Sequence, residues 1–314
     1  MLPWAHRFAC ALALSALLQA AAAQGQADPA PLAVTEIAPG VYVHEGRVED
    51  WLPGNGGDVA NLGFIVGSRC VAVIDSGGTP QLGQRWRAAI QRTTLLPICF
   101  VIDTHAHPDH VLGNAAFASP DTRFVGSAKF NAAMSARAPY FLRALERDFG
   151  TTTSPEAVVY PTIAVEGTRE FDLGERIVVA QAWPTSHTDN DLTVYDAKTR
   201  TLFASDLLFV QHIPVLDGKL RGWLATLQQL ARIDAALIVP GHGPMRAAGP
   251  DAWAPQQEYL ETLLRETRAA IKSGQTLSQA VDSVGTEAAA RWQLAERFHR
   301  RNVTAAFAEL EWED

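Results

Sequence analysis

The chain has little cysteine, no cluster of lysine and arginine, no internal repeat and, past its first residues, no long apolar run. Each absence narrows the reading. With 34 acidic against 26 basic residues, a net charge of −8 and no Lys/Arg run, nucleic acid is excluded as a partner. No later stretch approaches the roughly 20 apolar residues that a membrane-spanning helix requires. Nothing recurs at a fixed short period, which sets repeat architectures aside. Of the three cysteines, Cys10 falls near the N-terminus, so Cys70 and Cys99 are left for the folded protein.

What is present begins with a leader. The opening "MLPWAHRFACALALSALLQAAAA" carries Arg7 as its only formal charge, then a short apolar run and a small-residue stretch ending at Ala23. That pattern is a secretory signal peptide, too short to span a bilayer. Removal of 23 of 314 residues leaves 291 and, without Arg7, takes the net charge from −8 to −9. The expectation is an exported, periplasmic protein, and N-terminal sequencing of material from the native host should read Gln24 or a near neighbour first. A mature chain still starting at Met1 would refute export.

An apolar content of 47% fits a globular protein with ample core. "CVAVIDSGG" and "ICFVIDTH" are continuous apolar strands separated by the helical "QLGQRWRAAIQR", which implies a parallel pair covered by a helix. Cys70 and Cys99 head these two strands. An oxidising compartment would permit a disulfide, but strand geometry often keeps such sulfurs apart, and they read as two buried thiols. "SAKFNAAMSARAPYFLRALERDFG" is helical, further strands follow, and the chain from Trp253 is mostly helix. No polar linker intervenes, so we expect one domain over residues 24–250 with a helical extension, 251–314, packed on it.

Chemistry concentrates in "THAHPDHVLGN", which crowds His105, His107, Asp109 and His110 onto a strand end and its turn. His187 in "PTSHTDND", Asp206 in "TLFASD" and His242 in "VPGHGP" also stand where a strand meets a loop. Open parallel sheets carry their chemistry at such edges. His44, His212 and His299 stand alone and read as surface or internally satisfied histidines.

The pattern H-x-H-x-D-H, a later lone His, a strand-ending Asp and Gly-His-Gly resembles the metallo-β-lactamase superfamily. More narrowly, "GGDVANLGFIVG", "THAHPDHVLGNAAF", "DGKLRGWL" and "NVTAAFAELEWE" are similar to the exported quinoprotein relay system zinc metallohydrolases. The resemblance implies an αβ/βα four-layer sandwich of two mixed sheets with helices outside. It places one metal on His105, His107 and His187 and a second on Asp109, His110 and His242, with Asp206 bridging. Two zinc ions suit imidazole and carboxylate ligands, and iron or manganese would accept them too.

The implied function is a hydrolase whose nucleophile is a hydroxide held between the metals, with Asp109 also orienting it. The implied substrate is a small molecule, an ester, thioester or lactam, and the implied partner a periplasmic quinoprotein dehydrogenase system. β-Lactamases share the second site but do not normally carry an Asp at the place of Asp206. Glyoxalase II-like thioesterases keep it but are typically intracellular. A sulfur dioxygenase with one iron and a non-catalytic binding or maturation partner of a dehydrogenase are the other readings. Asp75, Thr104 and Asp191 are candidates to support ligand histidines, Trp51 to cap the site, and Lys219 to bind a substrate carboxylate.

Overall fold

The computed structural model describes residues 30–154, 158–247 and 249–313. The expected leader, 1–23, lies outside the described residues.

Two sheets form. The first runs in the order β1 (Thr35–Ala38), β2 (Val41–His44), β3 (Leu62–Val66), β4 (Val71–Ile74), β5 (Ile98–Ile102), β6 (Arg123–Ser127) and β7 (Ile163–Val165). It is antiparallel as far as β4 and parallel from β4 to β7. The second sheet lists β12 (Leu237–His242), β11 (Thr201–Phe209), β10 (Leu192–Asp196), β9 (Ile177–Ala182) and β8 (Thr168–Asp172) in spatial order. Only β11 and β12 are parallel there. Both sheets are therefore mixed, as expected.

Burial explains the layering. Strand β4 is buried at all four positions, the signature of a strand covered on both faces. Ile65, Ile74, Val125, Val194 and Phe203 meet between the sheets. Gly63 lets them close, because a Cβ there would strike the ring of Phe203. Helix α1 (Pro80–Thr93) joins β4 to β5 and packs Leu82, Trp86 and Ile90 on the outer face of the first sheet. Its start is fixed by Thr79, which accepts a hydrogen bond from Leu82 N, and by Pro80 in the first turn.

The remaining helices are α2 (Pro108–Val111), α3 (Phe130–Phe149), α4 (Leu220–Leu230), α5 (Ala254–Lys272), α6 (Leu277–Ser283), α7 (Thr286–Ala289) and α8 (Ala295–Leu310). Helices α4, α5 and α8 cover the second sheet and share one apolar cluster with β11, including Leu208, Trp223, Leu260 and Val303. The helical tail thus belongs to the same compact unit as the sheets.

One expectation is corrected. Cys70 and Cys99 form a disulfide, with Cα atoms 5.8 Å apart. β4 and β5 are adjacent and parallel, and the register slips at Cys99, between the Val71–Ile98 and Ala72–Phe100 pairs, at the end of β4 where Cys70 stands. That spacing lies in the range a bridge needs.

Candidate metal centre

The seven expected ligands arrive at one edge of the sandwich from loops and strand ends, except Asp206, which was expected to end its strand but lies within β11, a strand that continues to Phe209. His105 and His107 follow β5, Asp109 and His110 lie on α2, His187 lies between β9 and β10, and Asp206 and His242 lie on β11 and β12. Strand β11 is irregular around Ser205, which takes a positive φ of 47° and turns the next residue, Asp206, into the site. Gly241 is required opposite it, because any side chain there would strike the Asp206 carboxylate.

The side chains converge as two groups, His105, His107, His187 and Asp206 in one and Asp109, His110 and His242 in the other, with ligand atoms within 4.8 Å of one another in each. In the first, His107 Nδ1 is 3.0 Å from His105 Nε2 and 3.1 Å from His187 Nε2. In the second, Asp109 Oδ2 is 3.3 Å from His242 Nε2 and 3.5 Å from His110 Nε2. Asp206 reaches both: Oδ2 is 3.4 Å from His187 Nε2, and Oδ1 is 3.2 Å from His110 Nε2.

The donor set fits a cation pair. His110 Nε2 and Asp206 Oδ1 are buried with no hydrogen-bond partner among the described residues, a costly state that a cation would relieve. Each histidine's other nitrogen is held by an acceptor. His105 Nδ1 meets Thr104 Oγ1 at 3.1 Å, His107 Nε2 meets Asp217 Oδ2 at 2.8 Å, and His110 Nδ1 meets Asp75 Oδ2 at 2.8 Å. The backbone supplies the other two, Val215 O for His187 at 2.6 Å and Val59 O for His242 at 2.9 Å. Donating outward leaves a lone pair pointing inward on all five rings, the arrangement of metal-ligating histidines.

The two groups differ electrostatically. Burial holds His107 and His187 down to about 3, despite nearby Asp109 and Asp206, so they are neutral at neutral pH. For His242 burial is outweighed by the Asp206 and Asp109 carboxylates, and its pKa is pushed up to about 9; His110 is raised by the same neighbours. In the metal-free protein, protonation of His242 stabilises the fold fully below its unfolded pKa near 6.5, and the contribution is lost as pH rises through about 9. Metal binding at the second group must expel that proton and the one on His110. Its apparent affinity is therefore expected to fall by at least tenfold per pH unit below 9, while the first group changes little between pH 5 and 9. Calorimetric zinc titrations at several pH values check this, and equal slopes for both sites would refute it.

A cavity of about 600 Å³ opens over His107, Asp109, His187, Asp206 and His242. Trp51 lines it, its ring against Phe149 and its N–H donating to Gly78 O at 3.0 Å. Among the weaker candidates, Asp75 is hydrogen-bonded to His110 and Thr104 to His105. Asp191 acts one step removed, accepting from Thr188 N at 2.9 Å. Lys219 is exposed at the start of α4 and does not line the cavity.

His44 and His299 are buried and internally bonded, to Asp58 and to Tyr259 and Val284. His212 is likewise buried and internally bonded, Nδ1 donating to Ile213 O at 2.6 Å, and its ring also lies 5.0 Å from that of His242 in the cavity wall. Sequence reasoning missed Asp217, in the Gly-containing turn "LDGK", and the cavity arginines of α3 and α8.

Residues 55–242 match the family described as the metallo-beta-lactamase superfamily. No curated protein sequence matches. Among solved structures, a metallo-beta-lactamase from Pontibacter korlensis is 19% identical with a TM-score of 0.59, covering 73% of this chain and 99% of that one. One from Hirschia baltica is 16% identical at a TM-score of 0.57, covering 73% and 97%. The stereoselective inverting sec-alkylsulfatase Pisa1 from Pseudomonas sp. is 18% identical at a TM-score of 0.63 and covers 90% of this chain, which spans about half (51%) of the sulfatase.

Proposed function

We propose that this chain, which belongs to the metallo-beta-lactamase superfamily, is an exported hydrolase working through two zinc ions on a small-molecule ester, thioester or lactam. The observation that carries it is the inward convergence of seven ligand side chains with two buried, unpartnered ligand atoms among them. When bound there, two divalent cations supply a nucleophile ionised near neutral pH and a Lewis acid for the substrate oxygen.

The chain's own groups do the rest. His105, His107 and His187 hold one cation, Asp109, His110 and His242 hold the other, and the Asp206 charge offsets their repulsion. In the metal-free protein His110 and His242 outweigh burial at Asp109 and hold its pKa well below the usual carboxylate range, and bound cations would replace their charge. Asp109 therefore stays ionised and acts by orienting the attacking group rather than as a strong base. Phe209, Phe298 and Trp51 wall the cavity.

The motifs quoted above favour the quinoprotein relay subgroup, and with it association with a periplasmic quinoprotein dehydrogenase system. Asp206 stands against the β-lactamase reading. The test is elemental analysis together with a panel of ester, thioester, lactam and phosphodiester substrates, to which the likeness to an alkylsulfatase adds a sulfate ester. The expected result is close to two zinc ions per chain and hydrolysis abolished by chelation and restored by zinc. One metal or fewer would sink the dinuclear reading. Two metals without turnover on any substrate would move the protein to a non-catalytic partner of the dehydrogenase.

A further inference from the structure

Four arginines line the cavity mouth: Arg137 and Arg147 from α3, and Arg297 and Arg301 from α8. Three are answered by carboxylates. Arg147 pairs with Asp148, Arg297 with Asp50, and Arg301 with Asp217. Arg137 has only a distant one, Asp217 Oδ2 at 4.0 Å, and among the described residues its buried Nη1 has no hydrogen-bond partner.

Asp217 is already engaged twice, by Arg301 and by His107 Nε2 at 2.8 Å. Two guanidinium groups therefore share one carboxylate, and one positive charge is left over beside a ligand of the first group. Burial and then the Arg137 charge both disfavour the cationic form of Arg301, as expected for two cations in close quarters. A buried N–H with no acceptor is costly, and a planar guanidinium fork binds oxyanions well. Tyr140, Phe141 and Phe298 provide apolar surface alongside.

We propose that the substrate carries a singly charged anionic group that seats on Arg137, with Arg301 beside it, while the apolar body lies along Tyr140, Phe141 and Phe298. This rests on the hydrolase reading for its turnover but not for its binding.

Two measurements separate the two. The first is calorimetric binding of phenylacetate, benzenesulfonate and neutral phenylacetamide to the zinc-loaded protein and its Arg137→Gln and Arg137→Lys variants, with thermal melts as a check on folding. Arg137 is partly exposed and its Nη1 has no hydrogen-bond partner among the described residues, so the variants should fold. At least one anion should bind more tightly than the amide, and its affinity should drop at least about tenfold in Arg137→Gln and less in Arg137→Lys. Preference for phenylacetate identifies a carboxylate, and preference for benzenesulfonate a sulfate-like group.

The second is the kcat/KM ratio for 4-nitrophenyl esters of glutaric acid (mono) and pentanoic acid, matched in length and differing in one charge. That ratio should favour the charged ester and fall about tenfold in Arg137→Gln. Turnover without charge preference, or anion binding equal in wild type and Arg137→Gln, overturns the inference and leaves the hydrolase reading intact. Arg137-dependent anion binding with no ester turnover does the reverse. Absence of anion binding to the wild type also overturns it.

Discussion

Asp206→Asn is expected to lower hydrolysis at least ~10-fold and to leave one of two metals weakly held, the scale seen when groups supporting a metal site are lost. The carboxylate faces both groups, with Oδ1 3.2 Å from His110 Nε2 and Oδ2 3.4 Å from His187 Nε2. In the metal-free protein its pKa is held well below the usual carboxylate range, where the His242 and His110 charges outweigh burial. The anion is thus built into the centre. Asparagine keeps the shape, removes the charge and presents an amide N–H to one side, where it repels a cation. The first metal should remain, since His105, His107 and His187 are untouched. Metal counting after dialysis and rates on the best substrate read both effects. If the variant kept both metals and full activity, Asp206 would be an ordinary strand aspartate, and the β-lactamase-like reading, which needs no bridge, would move ahead.

How much was legible in the sequence depends on how local each feature is. His105, His107, Asp109 and His110 announce themselves because a strand end and one short helix bring them together within six residues. His187 and His242 were readable because each ends or follows an apolar strand, and Asp206 because it is a lone carboxylate in an apolar run, although that strand continues past it to Phe209. The residues that steady them were partly hidden. Val59 O and Val215 O act through backbone carbonyls, which no side-chain identity encodes. Asp217 and Arg301 meet only because α8 packs beside the loop before α4, where Asn302 also donates to Pro214 O at 2.6 Å. The disulfide turned on register, a level at which apolar strand patterns say nothing: the same composition with β5 shifted by a residue or two would leave the thiols apart.

Asp75 carries the second large effect, although it touches no expected metal. It is 1% exposed, lies just past β4, and takes a positive φ of 58°, which aspartate tolerates better than most residues. Its Oδ1 accepts from Thr104 N at 2.8 Å, and its Oδ2 from Thr104 Oγ1 and His110 Nδ1, both at 2.8 Å. Through Thr104 Oγ1 it also reaches His105 Nδ1, so one carboxylate steadies a ligand in each group. In Asp75→Asn, one of these oxygens becomes an N–H donor. Placed against His110 Nδ1, it forces the proton to Nε2, the atom that must face the metal; placed against Thr104 N, it breaks the turn that carries His105 and His107. Either orientation is expected to weaken the second metal by 10- to 100-fold, with a smaller loss at the first. Competition with a chelator of known affinity measures each step separately. A variant whose two affinities both matched the wild type would reduce Asp75 to a turn residue, and the outward hydrogen bond of His110 would then have no part in setting its tautomer.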